Sequence, residues 1–151
     1  MRQLLTLLTA GALFAACASD KQKAAEAWLE EATAAYEQAD FDKATALIDS
    51  IRTAFPNAID IRRQALKLHQ DVELKRAQQE LAATDSLLQS VQHDMDYQQE
   101  KVNRDKQALR ATPEELTMLT QTRIRRDSLR TQCEVLGAKI RYIHKKQKEK
   151  K

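Results

Sequence analysis

Few residues in this 151-residue chain have side chains that could do chemistry, and their spacing decides which of them can act together. His93, Asp94 and Asp96 offer an imidazole and two carboxylates, the donor types that hold a metal or move a proton. Neighbouring residues on a helix point to different faces, so these three cannot converge, and they read as a solvated face. His69 and His144 lie far from them, and no His-x-x-x-His pair exists. Cys133 has only Cys17 as a companion, so there is no Cys-x-x-Cys redox or metal pair. Its thiol reads as an inert core group or as one end of an intermolecular disulfide.

Glycine usage removes further classes of chemistry. The chain holds Gly11 and Gly137 and no others. A phosphate-cradling loop, a dinucleotide fingerprint and a nucleophile elbow each need several glycines at backbone positions a Cβ forbids. No nucleophile, base and oxyanion donor can be assembled at a recognisable spacing. The expectation is therefore a non-enzyme with no cofactor and no metal.

The remaining reactive residue is Cys17. Met1-Arg2 is followed by an apolar run of about thirteen residues from Leu4 to Ala16, too short for the ~20 that span a bilayer and suited to a cleaved export signal over 1–16. Leu13-Phe14-Ala15-Ala16-Cys17 resembles the lipobox of bacterial lipoproteins, with Phe14 where the family usually has leucine. The resemblance covers only the leader, and an ordinary secretory signal with a chance cysteine is the other reading. It implies acylation of Cys17 through sulfur, cleavage before it, and a lipidated linker over 17–24. Ala18 in place of aspartate resembles lipoproteins sorted to the outer membrane, which implies a lipid-anchored, periplasm-facing protein.

The elements that would position any interaction site are helical. Beyond the leader about 135 residues remain, and aromatic content of 5% with a mean hydropathy of −0.62 favours apolar stripes along helices over a broad core. Ala25, Trp28, Ala32, Tyr36, Phe41, Ala44, Ile48, Ile51 and Pro56 alternate small and large residues over a helical hairpin at 25–58. The pattern resembles one tetratricopeptide repeat, with Glu31 at the usual leucine and Ala39 at the usual turn glycine. Such repeats normally stack about three copies to form a groove, so a plain hairpin with no groove is the alternative. A following helix from Ile59, with Ala65 and Leu66, suits the start of a second copy.

Over 59–144 the pattern predicts a long helix and an antiparallel coiled-coil hairpin with its turn near 110–112. Leu81, Leu88, Val91, Met95, Val102 and Leu109 recur near a seven-residue repeat. Thr112-Pro113-Glu114-Glu115 spells a capping box with proline at the first helical position. Leu116, Leu119, Leu129, Cys133, Leu136, Ile140 and Ile143 form the second stripe. A reversal at Ala111 pairs residues whose numbers sum to about 224, setting Met95 against Leu129 and leaving Gln98, Val102 and Asp105 against Arg126, Thr122 and Leu119. That softer stretch reads as a register-setting segment or as a place where a partner helix inserts.

Charge runs from acidic to basic. Residues 18–58 hold four Lys/Arg against eight Asp/Glu, and residues 113–151 hold eleven against five. In an exported protein the basic end excludes nucleic acid and points to lipid headgroups, cell-wall carboxylates or an acidic protein. The fold class expected is all-α, a tetratricopeptide-like hairpin continued into a coiled-coil hairpin. The function expected is a membrane-anchored scaffold or adaptor of the cell envelope. Its contact residues would be Trp28, Tyr36, Arg123, Arg126, Lys150 and Lys151, and its partners the membrane through Cys17, an envelope protein, peptidoglycan or a second copy of the chain. The basic tail, 145–151, supports the alternative of a tether to peptidoglycan, an architecture similar to the murein lipoprotein and its terminal lysine, and it also reads as a solvated helix end.

Overall fold

The computed structural model describes residues 7–149, with side chains from residue 20 onward. The described residues form four helices, α1 (Leu7–Glu37), α2 (Phe41–Ala54), α3 (Ile59–Gln107) and α4 (Pro113–Glu149), and the fold is all-α. The chain divides into two compact units, Met1–Glu73 and Leu74–Lys151, and α3 contributes to both. Residues 17–24, expected as a linker, lie within α1.

In the first unit, small residues set how closely the helices approach. Ala25, Ala32, Ala35, Ala44 and Ala65 are all buried, and Ile48, Ile51, Ile61 and Val72 fill the space between them. Trp28 closes one side, edge-on to Phe55 with ring centroids 5.1 Å apart, and Tyr36 leans on Phe41 at 6.1 Å. The turn between α1 and α2 is a Schellman closure: Asp40 N–H donates to Ala35 O and Ala39 N–H to Tyr36 O. Ala39 takes the left-handed conformation, φ 60°, that glycine usually supplies. Asp40 then caps α2 by accepting from Lys43 N at 3.1 Å. Pro56 follows the end of α2, and Arg62 donates to its carbonyl at 2.8 Å as α3 begins. Leu66, read as a core residue of the next helix, is instead 41% exposed.

The second unit is a coiled-coil hairpin built from the last part of α3 and from α4. Along α3 the less exposed positions are Leu81, Thr84, Leu88, Val91, Met95, Gln98 and Val102; along α4 they are Leu119, Thr122, Arg126, Leu129, Cys133, Leu136, Ile140 and Ile143. Both series alternate steps of three and four, the seam of a heptad. At about 1.5 Å per residue, the hairpin's arms extend some 50 Å.

The capping box forms as the sequence predicts. Glu115 N–H donates to Thr112 Oγ1 at 3.2 Å and Thr112 N–H to Glu115 Oε2 at 3.1 Å, with α4 starting at Pro113.

The register differs from the expected one. Leu119, expected opposite Asp105, clusters with Met95 and Val102, which flank Gln98 on the same face. Lys101 reaches Glu115. Leu119 beside Val102, and Arg126 on Met95, place α4 three residues, about half a heptad, away from the pairing that a reversal at Ala111 would give. The reason is the turn. Helix α3 ends in a second Schellman closure, Arg110 N–H to Asp105 O at 2.7 Å and Leu109 N–H to Lys106 O at 3.1 Å, so the chain reverses around Leu109. Leu109, expected on the seam, is 95% exposed at φ 55°, and Leu116 also lies outside the seam, at 38% exposure.

A leucine in the left-handed region costs about 1–2 kcal/mol, and with no packing to lose, Leu109→Gly should stabilise the hairpin by about 1 kcal/mol after the extra freedom of the unfolded glycine is subtracted. Urea unfolding of the two proteins side by side measures it; a lower midpoint for the glycine variant would contradict the assigned turn.

Candidate interaction surfaces

The expected contact residues fall in different parts of the chain. Trp28 and Tyr36 belong to the first unit, where both are half-buried against its core. Their packing with Phe55 and Phe41 makes them structural, while their outer edges stay open to solvent. Arg123 and Arg126 sit one turn apart on α4 in the second unit. Lys150 and Lys151 lie outside the described residues, as do residues 1–6 of the leader and the side chain of Cys17.

The two arginines differ in role. Arg123 reaches across the hairpin and donates to Gln99 Oε1 at 3.0 Å. Arg126 occupies a seam position, 17% exposed, with Nη1 3.1 Å from Met95 Sδ and a short ion pair of 2.6 Å to Asp127. A charged guanidinium among apolar side chains is costly without partners, which Asp127 and the outer edge of the seam supply. Near it Gln98 Oε1 is buried with no hydrogen-bond partner among the described residues. Arg126, Gln98 and Thr122 thus form the polar stretch of the seam. The spacing marked this stretch as soft, with Leu119 against Asp105, but Leu119 instead joins Met95 and Val102 in an apolar cluster within it.

Beside that stretch is a shallow cleft of about 340 Å³, walled by Tyr97, Val102 and Met118 and edged by Asp94, Lys101 and Glu115. Lys101 also pairs with Asp105 at 3.2 Å, and Arg110 approaches Asp105 at 3.8 Å, so the charges near the turn are largely matched. Among the described residues no three His, Cys, Asp or Glu side chains are grouped to hold a metal ion. No described helix is long and apolar enough to cross a membrane. Cys133 is a free thiol, partly rather than fully buried on the seam.

Ionisation follows local pairs. Lys43 donates to Glu31 across α1 and α2 at 2.9 Å, and that hydrogen bond, followed by the carboxylate's charge, raises the Lys43 pKa above 10.5. Glu31, at a position where the sequence pattern expects leucine, is thus held in an ion pair between α1 and α2. Because the folded pKa is raised, the pair's contribution is fully present below pH 10.5 and fades as pH climbs through the folded value. The unfolding midpoint should therefore gain an alkaline loss above pH 10.5 that Glu31→Gln reduces; identical alkaline profiles for the two proteins would count against the pair. In the tail, Lys146 is raised likewise by its 2.8 Å bond to Glu149, and it lies 5.7 Å from the Tyr142 ring centroid.

The geometry defines an all-α protein of paired helices. Compared with known proteins, the chain matches no family model, no curated protein and no solved structure.

Proposed function

We propose that the protein is a lipid-anchored cell-envelope scaffold, tied to the outer membrane through Cys17 and using its helical units as docking surfaces and not as catalysts. The observation that carries the reading is the sequence Leu13-Phe14-Ala15-Ala16-Cys17 at the end of a short apolar run. A signal that ends in small-small-Cys needs no further membrane element, because acyl chains contribute roughly 0.8 kcal/mol per buried methylene and two or three of them hold a protein stably. The helical units suit the adaptor role. Their surfaces are long and charged, and α4 carries nine Lys and Arg against five Asp and Glu, an excess that could meet an acidic partner.

Mild crosslinking in cells, followed by purification of the acylated protein and identification of what is attached, tests this reading. A reproducible envelope protein supports the scaffold. Muropeptides alone would replace it with the tether through the basic tail, and neither would remove both.

A further inference from the structure

The outward face of α4 carries a second heptad. Ile124, Ser128, Thr131, Val135, Ala138 and Tyr142 follow one another at steps of four and three, on the side of the helix away from the seam, and every one is exposed. The three large members are open to solvent, Ile124 at 64%, Val135 at 63% and Tyr142 at 61%. None of the six is charged, although charged residues are scattered over the rest of the helix. Thr131 spends its hydroxyl on Asp127 O of its own helix at 3.0 Å, which lowers the cost of covering it. The back of α3 contrasts with this. There the corresponding positions are Gln79, Ala83, Ser86, Ser90, His93, Tyr97, Glu100 and Arg104, so charge enters toward the turn and Tyr97 is the one large hydrophobic side chain on that face.

A stripe with heptad spacing on an already paired helix is a surface for another helix. The charges beside it select the occupant. On one flank stand Asp127, Glu134 and Arg141; on the other, Arg125, Gln132 and Lys139. If a second copy of α4 lies parallel across a two-fold axis, each flank meets the opposite flank five residues on. Glu134 then faces the partner copy's lysine at position 139, twice over, and Asp127 faces a glutamine. The single like-charged meeting is Arg141 with Lys146, at the end of the stripe, where Lys146 is held by Glu149. An antiparallel arrangement sets each flank against itself. Arg125 would then oppose Lys139 and Glu134 would oppose its own copy, both repulsive, against one attractive meeting of Asp127 with Arg141; the parallel pair sets one attractive meeting against one repulsive.

We infer that this stripe on α4, centred on Thr131 and Val135, is a self-association surface on which a second copy of the chain packs in parallel, with Glu134 and Lys139 setting the orientation. In a parallel pair each stripe residue lies against its own counterpart on the axis.

The test is a cysteine series in the full-length protein carrying Cys133→Ser, oxidised in mild detergent and again in membranes. Ile124→Cys and Val135→Cys should each give disulfide-linked dimers alone. Gln89→Cys, on the back of α3, should not. If Ile124→Cys crosslinks only when mixed with Tyr142→Cys, the pairing is antiparallel and the orientation is overturned. A second measurement is the mass of the full-length protein by sedimentation. Val135→Glu should weaken dimerisation at least about tenfold with unchanged helical content, since the site is exposed and the added charges face each other. A wild-type monomer, or a dimer indifferent to Val135→Glu, overturns the proposal.

Discussion

Replacing Cys17 by alanine should abolish incorporation of a labelled palmitate analogue, and the chain from residue 17 carrying that alanine should partition into water where the acylated wild-type protein enters the detergent phase. The reasoning is a comparison of magnitudes. A single acyl chain gives a membrane association constant on the order of 10⁴ M⁻¹, and a second or third multiplies it. No described helix could substitute, since none is long and apolar enough to cross a bilayer. The substitution should leave the fold untouched, because among the residues whose side chains are described the core begins at Ala25, eight positions further on. Helical content and the unfolding midpoint of the chain from residue 17 with alanine should therefore match those of the acylated wild-type protein, while the partition changes by orders of magnitude. Wild-type protein that takes up no label would end the anchor reading outright. It would leave the self-association of α4, a property of exposed residues over 124–142, to stand or fall on its own test.

What could be read from the chain without the structure depended on how local the signal was. The start of α4 was legible to the residue, because Thr112, Pro113 and Glu115 make their bonds with one another and need nothing else. The stop after α2 was legible for the same reason, since Pro56 acts through its own ring and the residue before it. The register of the hairpin was not. It depends on where the chain reverses, and the reversal falls on Leu109, a residue type that rarely accepts a positive φ. Nothing in a leucine announces a turn, and it was assigned to the seam instead. A shift of half a heptad keeps every seam residue inside while changing its neighbours, so periodicity could not detect it.

The candidate surfaces were less legible than the fold. Cys17 stands out because a short peptide motif surrounds it. Arg123 and Arg126 look alike as basic residues, yet one crosses to Gln99 and the other lies in the seam against Met95. That distinction comes from the heptad phase of α4, which becomes reliable only once its partner is placed. The outer stripe was missed for a related reason. Its members include serine, threonine and alanine, so apolarity alone gives a weak signal; the absence of charge at its heptad positions is clear only after the inner face has been assigned to the seam.

Ile48→Ala should be the most damaging single change to the first unit, lowering its stability by about 3 kcal/mol. Ile48 is completely buried, in a cluster whose other buried members include five alanines, Ala25, Ala32, Ala35, Ala44 and Ala65. Alanines let the helices come close but have no side-chain length with which to fill a void. The cavity left by three missing carbons would then close only by moving helices, which costs more than moving side chains. For a domain whose whole margin is on the order of 5–15 kcal/mol, such a loss exposes a measurable unfolded fraction at moderate temperature. Trp28 is the only tryptophan in the chain and stacks edge-on to Phe55, so its fluorescence reports this unit directly. The emission of Ile48→Ala should shift to the red at a lower denaturant concentration than in the wild type. Asp49→Ala, one residue on but exposed, should stay within about 0.5 kcal/mol. Equal midpoints for the two variants would mean that the alanine-lined space around Ile48 collapses without strain, and that the close approach of α1, α2 and the start of α3 is not held by this side chain.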